Sequence, residues 1–510
     1  MSTTAVPAKA TRREWIGLAI IALPCMVYAM DLTVLNLALP AISAELDPTA
    51  SQLLWIVDVY GFLVAGFLIT MGTLGDRIGR RKLLLIGGAA FGAASIVAAF
   101  ADSAAMLIAM RALLGVAGAT LAPSTMSLIR NMFHDEHQRQ FAIGVWIASF
   151  SLGGALGPLV GGVLLQYFWW GSVFLVAVPV MALLLLVGPR LLPEYRDPNA
   201  GTVDLASVAQ SLAAVLSLIF GLKQLAEHGP SWTAAAFVLA GLAVGTLFVR
   251  RQAHLTYPLL DMSLFRRPRF AATIAAYGLT SLAMFGVYIF ITQYLQLVLG
   301  LSPLKAGLAT VPWALAFVVG SLLAPRLTRR VGALQVMVGG LLVAAFGYAL
   351  LVFADLPSPG ANLALLIVST VVMSLGMAPV FTLGNEIIIT SAPPERAGAA
   401  SALSETASEF SGACGIAIFG SLGMALYRHR LGDAAGVPDA PAEALATLGG
   451  ALDAASRLPA PEGQALLEAA RAAFVDALQA SAGLATVVVL VACVVTLRLL
   501  RPAAAPARSA

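Results

Sequence analysis

About fourteen runs of roughly 20 predominantly apolar residues divide this 510-residue chain, and no other feature of the sequence restricts its fold as tightly. A bilayer core about 30 Å thick offers no water to exposed peptide groups, so each run has to cross as a helix that satisfies its own backbone. The approximate limits are 15–39, 52–74, 83–101, 104–128, 140–166, 171–192, 204–226, 232–250, 270–299, 304–327, 333–354, 361–390, 398–427 and 480–500. Charged residues make up 11% of the chain, whereas a soluble domain has about a quarter. An all-α polytopic membrane protein is therefore expected. Arg12 and Arg13 precede an apolar run in the manner of a signal peptide, but Asp31 interrupts it and no convincing cleavage site follows, so it is read as the first span. Cys25, Cys414 and Cys493 lie in apolar segments without metal-ligand spacing, which indicates neither a disulfide framework nor a zinc site.

A net charge of +4 and a pI near 9.0 could suggest a nucleic-acid partner, but the basic residues are sorted by membrane side. Of the 30 lysines and arginines, only Lys223, Lys305, Arg428, Arg430, Arg457 and Arg471 fall on the side opposite the N-terminus, and Arg111 alone lies inside a span away from its ends. The excess of positive charge marks the side carrying both termini as cytoplasmic. An internal echo supports two halves: Gly75–Arg81 between spans two and three lines up with Ala324–Arg330 between spans ten and eleven, and an apolar run ending in Gly-Gly follows each. The expected organisation is a six-helix bundle over 1–192, a linker with two extra spans over 193–269, a second six-helix bundle over 270–500 and a tail over 501–510. The outer segment 428–479 is rich in alanine and proline; Ala442–Leu458 and Glu462–Leu478 read either as a helical hairpin on the outer surface or as a linker.

Chemistry is concentrated in the few charges that the spans contain. Glu405 and Glu409 lie four apart, on one helix face with Cβ atoms about 6 Å from each other, and a helix entering near Gly398 places them roughly 10 and 16 Å deep. A carboxylate at that depth must line a wet cavity, take a proton or meet a cation. Arg111 cannot shed its charge and needs an acid or water, and Asp31 and Asp58 are available at similar depth. Glu386, near the cytoplasmic end of span twelve, is a candidate entrance acid, or else a cap or latch. Tyr28, Trp55, Trp146, Tyr288, Tyr294 and Trp313 could meet an organic cation through their ring faces, although each is also an ordinary core residue type.

Two glycine patterns complete the set. Gly72-Thr-Leu-Gly-Asp76-Arg77-Ile-Gly79-Arg80-Arg-Lys82 joins spans two and three, where glycines let helix ends approach and Asp76 can hold a helix N-terminus or arginine as a latch. Gly144, Gly153, Gly157-Pro158 and Gly161-Gly162 in span five permit close helix contact and a bend.

These motifs resemble those of the major facilitator superfamily, in particular its fourteen-span drug:proton antiporter group and the QacA/SmvA-type exporters of quaternary ammonium and other cationic compounds. The resemblance covers nearly the whole chain. It implies the major facilitator fold, two six-helix bundles plus two extra central spans, in a bacterial cell (inner) membrane. It also implies a monomer that exports lipophilic organic cations such as dyes and biocides, driven by a proton gradient with no cofactor or metal and no nucleic-acid partner. Asp31, Asp58, Arg111, Glu405 and Glu409 would serve proton coupling and cation binding, Gly72 to Arg80 the conformational latch, and Gly144 to Gly162 the antiporter signature. One departure is that Thr310–Leu327 in span ten holds no acid, which weighs against efficient divalent transport. The alternatives are export of an endogenous metabolite, lipid or siderophore, and a membrane-embedded enzyme. The second is disfavoured because His134, His137, His228, His254 and His429 all fall at loops or span ends. No GxxxxGK[ST] sequence is present to bind ATP.

Overall fold

The computed structural model describes residues 9–499 apart from 49, 197–203, 230, 257, 261, 356–357, 394–396, 433–443 and 446; within helices, the side chains of Asp58 and Pro158 also lie outside the described set. Among the described residues all regular structure is helical, and fourteen helices are long and apolar enough to cross a bilayer. The protein is a polytopic membrane protein.

The first bundle comprises α1 (Arg12–Leu46), α2 (Ala50–Ile78), α3 (Arg80–Ala99), α4 (Ala104–Gly118), α5 (Leu121–Met132), α6 (Glu136–Tyr167), α7 (Ser172–Leu175) and α8 (Ala177–Leu191). Thr11 and Glu14 form a reciprocal capping box that fixes where α1 begins. The pairs α4/α5 and α7/α8 are each one span broken in two. At the first break the Thr120 hydroxyl donates to the Ala117 carbonyl at 2.7 Å. Gly87 of α3 makes room for it, since a Cβ there would collide with the Thr120 side chain.

Between the bundles come α9 (Leu205–His228) and α10 (Trp232–Gln252). Their contact is close because it is made at glycines: a Cβ on Gly221 would lie 2.8 Å from the Val238 nitrogen, and one on Gly241 2.9 Å from that of Leu218. Asp204, just before α9, accepts from Arg251 of α10 at 2.7 and 3.1 Å, and these bonds hold its carboxyl well below the usual carboxylate range. One face of α9 packs on α2 and on a helix of the second bundle, so the extra pair lies along the seam rather than apart from the body.

The second bundle comprises α11 (Pro268–Gln293), α12 (Pro303–Val331), α13 (Ala333–Leu351), α14 (Pro359–Ser391), α15 (Ala397–Gly432) and, after the short α16 (Leu448–Arg457), α17 (Ala460–Leu499). Over the segment expected as a helical hairpin or a linker, Ala442–Leu458 and Glu462–Leu478, α16 turns at Leu458–Pro459 into α17 and packs against its start, where a Cβ on Gly463 would lie 2.4 Å from the Ala455 carbonyl. The second arm is continuous with the last span, since α17 runs 40 residues without interruption. The cause is local: Pro461 suits a first turn, and no proline follows it before Leu499. Arg471 donates to the Leu297 carbonyl at 3.1 Å, and Phe474 rests on Phe290, so this extension is packed on the bundle.

Fourteen crossings return the end of α17 to the face where α1 starts, here termed the basic face because the arginines of the α2–α3 and α12–α13 turns also lie there. Those turns pivot on Gly79 (φ 112°) and Gly332 (φ 88°), a region open to glycine at no cost. The two glycines, rather than Gly75 and Ala324, are the equivalent positions of the two halves, which moves the internal echo by four residues.

The bundles meet along α6/α12 and along α15 against α2 and α5. On α6 the glycines divide the work. A Cβ on Gly144 would lie 2.7 Å from the Ser321 carbonyl of α12, across the seam, whereas Gly153 and Gly157 sit against the Met26 and Met30 carbonyls of α1 within the first bundle. Gly161 is buried in the same helix, and a Cβ on Gly162 would meet nothing within 4 Å. Gly153→Ala is therefore expected to cost about 1–3 kcal/mol through overpacking, and Gly162→Ala to stay within about 0.5 kcal/mol. Thermal unfolding of the purified variants measures both.

Candidate functional site

Among the described residues, the charges inside the spans of the first bundle are matched. Arg111 of α4 and Asp31 of α1 are both buried, and the guanidinium Nη1 lies 2.5 Å from the Asp31 carboxylate. Arg111 Nε donates to the Ile56 carbonyl of α2 at 3.1 Å, and the guanidinium carbon stands 4.5 Å from the Tyr60 ring centre. A charge that cannot be neutralised is thus given an anion by α1 and a carbonyl and an aromatic face by α2. The Tyr60 hydroxyl donates onward to the Tyr28 carbonyl at 3.4 Å. Of the two acids expected near Arg111, Asp31 is the one brought to it, and the Asp58 side chain lies outside the described set.

The second bundle holds the opposite arrangement. Glu405 and Glu409 of α15 are half-buried, and neither has a hydrogen-bond or ion-pair partner among the described residues. Small residues press the remaining faces of α15 onto α11: the Ser281 and Ser408 hydroxyls meet at 2.9 Å, and a Cβ on Gly415 would lie 2.2 Å from the Leu282 carbonyl. The two acids are left facing the space between the bundles, within electrostatic reach of Tyr28 from α1 and Tyr277 from α11. What that space can receive is positive charge, as one or two protons or as a cation with an apolar body.

On the basic face the bundles are pinned together. Asp76, at the end of α2, bonds Arg80 through Nε at 2.8 Å and accepts from the Ala399 backbone N–H of α15 at 3.3 Å. A carboxylate of one bundle therefore sits at the N-terminal first turn of a helix of the other, where the unpaired N–H groups and the helix dipole favour it. Arg80 is fully buried, Gly72 is buried one turn before Asp76, and Arg77 occupies the last turn of α2. Gly79 leaves room for Glu194, whose carboxylate accepts from the Arg81 and Lys82 N–H groups at 3.1 Å each. A second pin is Glu386 of α14, 3.2 Å from Arg139 of α6, and its geometry is that of a latch between the bundles. A third is Arg130 of α5, which donates to the Ile389 carbonyl and, at 3.0 Å, to that of Ala392.

The six aromatics part company. Tyr288 and Trp313 lie 5.1 Å apart and line a pocket with Met284, Thr310 and Met373, where the Trp313 N–H is buried without a partner among the described residues. Tyr28 is buried against Phe150 and Tyr60. Trp146 is buried and donates to Thr125 at 2.8 Å, Tyr294 is buried with its hydroxyl 3.5 Å from the Ala354 carbonyl, and both are core residues. Trp55 is exposed and edge-on to Phe62. No cluster of histidine, cysteine and acid able to hold a metal occurs among the described residues.

The sequence reading passed over Arg130 and Arg139 as topogenic charges and did not single out Tyr277, Asn385 or Ser404. The usable signal was Asn385 beside Glu386 in an apolar run, since a buried amide has to be bonded. Because Asp31 is the only acid in contact with Arg111 among the described residues, Asp31→Asn strands a buried cation at an expected cost of about 3–5 kcal/mol. Thermal unfolding checks this, and adding Arg111→Gln should recover part of the loss.

The Major Facilitator Superfamily model matches residues 21–416. The multidrug efflux pump LfrA of Mycolicibacterium smegmatis is 45% identical over 495 residues, 97% of each chain. The methyl viologen resistance protein SmvA of Salmonella typhimurium is 35% identical over 465 residues, 91% of this chain and 93% of that one. Among solved structures, the human organic anion transporter MFSD10 (TETRAN) aligns with a TM-score of 0.57 at 16% identity, over 95% of this chain and 99% of its own. A bacterial homolog of the human lysosomal transporter Spinster, inward-facing and unoccupied, aligns with a TM-score of 0.56 at 18% identity, over 97% and 100%. At those identities the likeness to the solved structures is one of fold.

Proposed function

The chain belongs to the major facilitator superfamily and is a transporter rather than an enzyme, and we propose that it is a multidrug exporter exchanging protons for lipophilic organic cations, quaternary ammonium compounds among them. Its likeness to the multidrug efflux pump LfrA and to the methyl viologen resistance protein SmvA supports the first part of this reading. The observation that carries the second is the acid pair Glu405 and Glu409 between the bundles, without a partner among the described residues, beside a bundle in which Arg111 and Asp31 are paired. Two such carboxylates can each be neutralised by a proton or balanced by an organic cation, and the two are alternatives.

In this reading the basic face is cytoplasmic, both termini lie inside a bacterial cell membrane, and one chain supplies both bundles and works as a monomer. With the pins of the basic face parted, a cation enters from the cytoplasm or inner leaflet and displaces protons from the pair. With the pins closed, the far side admits protons that displace the cation outward. No bound cofactor is required, because the proton gradient supplies the work. Exchange of one proton for one monovalent cation moves no net charge, whereas two protons per cation move one charge inward, adding about 2.3 kcal/mol per 100 mV of membrane potential. Asp31 and Arg111 shape the outer half of the path as a fixed, charge-balanced wall, and the absence of an acid in span ten favours monovalent over divalent cargo.

The sign of the pH effect follows. A cation binds the deprotonated pair, so its affinity should rise as protons leave the pair with rising pH, and binding in weak buffer should release protons. Titrating the purified protein with tetraphenylphosphonium while recording both quantities tests this, with Glu405→Gln/Glu409→Gln expected to lose both. Binding without proton release anywhere between about pH 5 and 9, where perturbed carboxylates titrate, would remove the pair from the coupling.

A further inference from the structure

Asn385 lies on α14 directly before Glu386 of the gate, yet its side chain reaches a different pair of helices. Neighbouring residues on a helix point about 100° apart, so one turn of α14 touches the opposite bundle through Glu386 and the α11/α15 side of its own bundle through Asn385. The Asn385 amide N–H donates to the Tyr277 oxygen of α11 at 3.0 Å. Its carbonyl oxygen lies 2.8 Å from the hydroxyl of Ser404 on α15, the residue before Glu405. Tyr277, Asn385 and Ser404 are all buried. A buried amide and two hydroxyls cost free energy that leucine or alanine would not, unless they are kept bonded.

Ser404 supplies the means of switching. Its hydroxyl is 2.8 Å from Asn385 Oδ1 and also 2.8 Å from the Ser401 carbonyl on its own helix. One proton shared between two acceptors bonds each more weakly than it bonds one alone, so a small movement of α15 favours either the bond that ties α15 to α14 or the bond confined to α15. We propose that Asn385 is a positioning residue through which the charge on Glu405 governs the Glu386–Arg139 contact. The proposal rests on the reading of Glu405 as the exchange site. Filling or emptying that site shifts the turn of α15 that carries Ser404, and the shift changes which acceptor its proton takes. Asn385 then follows or releases Ser404, and the same turn of α14 carries Glu386 toward or away from Arg139. A hydrogen-bonded ion pair at 3.2 Å weakens steeply with such movement.

The test uses the full-length protein with its native cysteines replaced and spin labels at His137→Cys on α6 and Arg330→Cys on α12, both exposed on the basic face. Pulsed dipolar spectroscopy then reads the ratio of parted to closed bundles. Glu405→Gln, which fixes the site uncharged, should shift that ratio about tenfold, within the 5- to 150-fold span of typical site-to-site coupling. Asn385→Ala should cut the shift to about twofold or less, and Ser404→Ala should do likewise through the other end of the bond, a coupling measured as a double-mutant cycle. Tyr277→Phe keeps the ring packed on Phe381 and serves if Asn385→Ala does not fold. A Glu405→Gln shift that survives in the Asn385 and Ser404 variants overturns the proposal, as does a Glu405→Gln protein with the wild-type ratio. Tetraphenylphosphonium binding separates the two readings: Asn385→Ala should bind within about threefold of wild type, and unchanged binding by Glu405→Gln would overturn the exchange-site reading whatever the distances show.

Discussion

A charge inside the bilayer has to be answered by another charge, a proton or water, and the arrangement of this protein follows from which of its charges are answered permanently and which are not. Arg111 and Asp31 are held together by α1, α2 and α4, with the Ile56 carbonyl and the Tyr60 ring completing the enclosure. That site has no vacancy, because separating the pair would leave a guanidinium with no way to lose its charge. Glu405 and Glu409 are the converse, two groups that can be neutralised by proton uptake and that no cationic side chain among the described residues touches. In the proposed exchange the first bundle offers a fixed wall and the second an exchangeable one, and a cation passing between them would meet both.

Small residues make that division possible. The glycines and serines of α15 let it lie flush on α11, so its polar positions are presented to the opposite bundle instead of being spent in packing. On α6 the same device serves two interfaces in one helix: Gly153 and Gly157 close onto α1 inside the bundle, while Gly144 closes onto the Ser321 carbonyl of α12 across the seam. The first contact is part of a rigid body and the second must come apart in any exchange of access, so residues of one sequence motif serve opposite ends.

Fourteen spans, the sidedness of the arginines and the acid pair were legible because hydropathy, loop charge and the rarity of buried carboxylates are properties of single segments. Pairing was legible only where chemistry left few choices: Arg111 needed an anion at its own depth, and Asp31 supplied it. Glu386 was visible as an odd residue, but its partner Arg139 lies 247 positions away and looked like one more topogenic charge. The length of α17 was illegible for a related reason, since the prolines around Pro459 mark where a helix starts but nothing local says where it stops. Aromatic side chains were the least legible, because a ring lining a pocket at Trp313 and a ring filling the core at Tyr294 obey the same composition and spacing.

The three pins on the basic face are chemically unequal, and that inequality decides what can open them. Arg130 bonds the Ile389 carbonyl at the end of α14 and the Ala392 carbonyl just past it, oxygens that do not titrate. Asp76 is shared between Arg80 of its own bundle and the Ala399 N–H, so it keeps a cationic partner when α15 withdraws and the separation strands no charge. Glu386 and Arg139 differ from both, being single charges contributed by opposite bundles and paired with each other. Parting them exposes one carboxylate and one guanidinium together, which costs most while the cleft is dry and least once water follows. The pair is therefore the contact whose breaking is most sensitive to how wet the space beneath the acid pair becomes, and the one best suited to respond to what occupies Glu405 and Glu409.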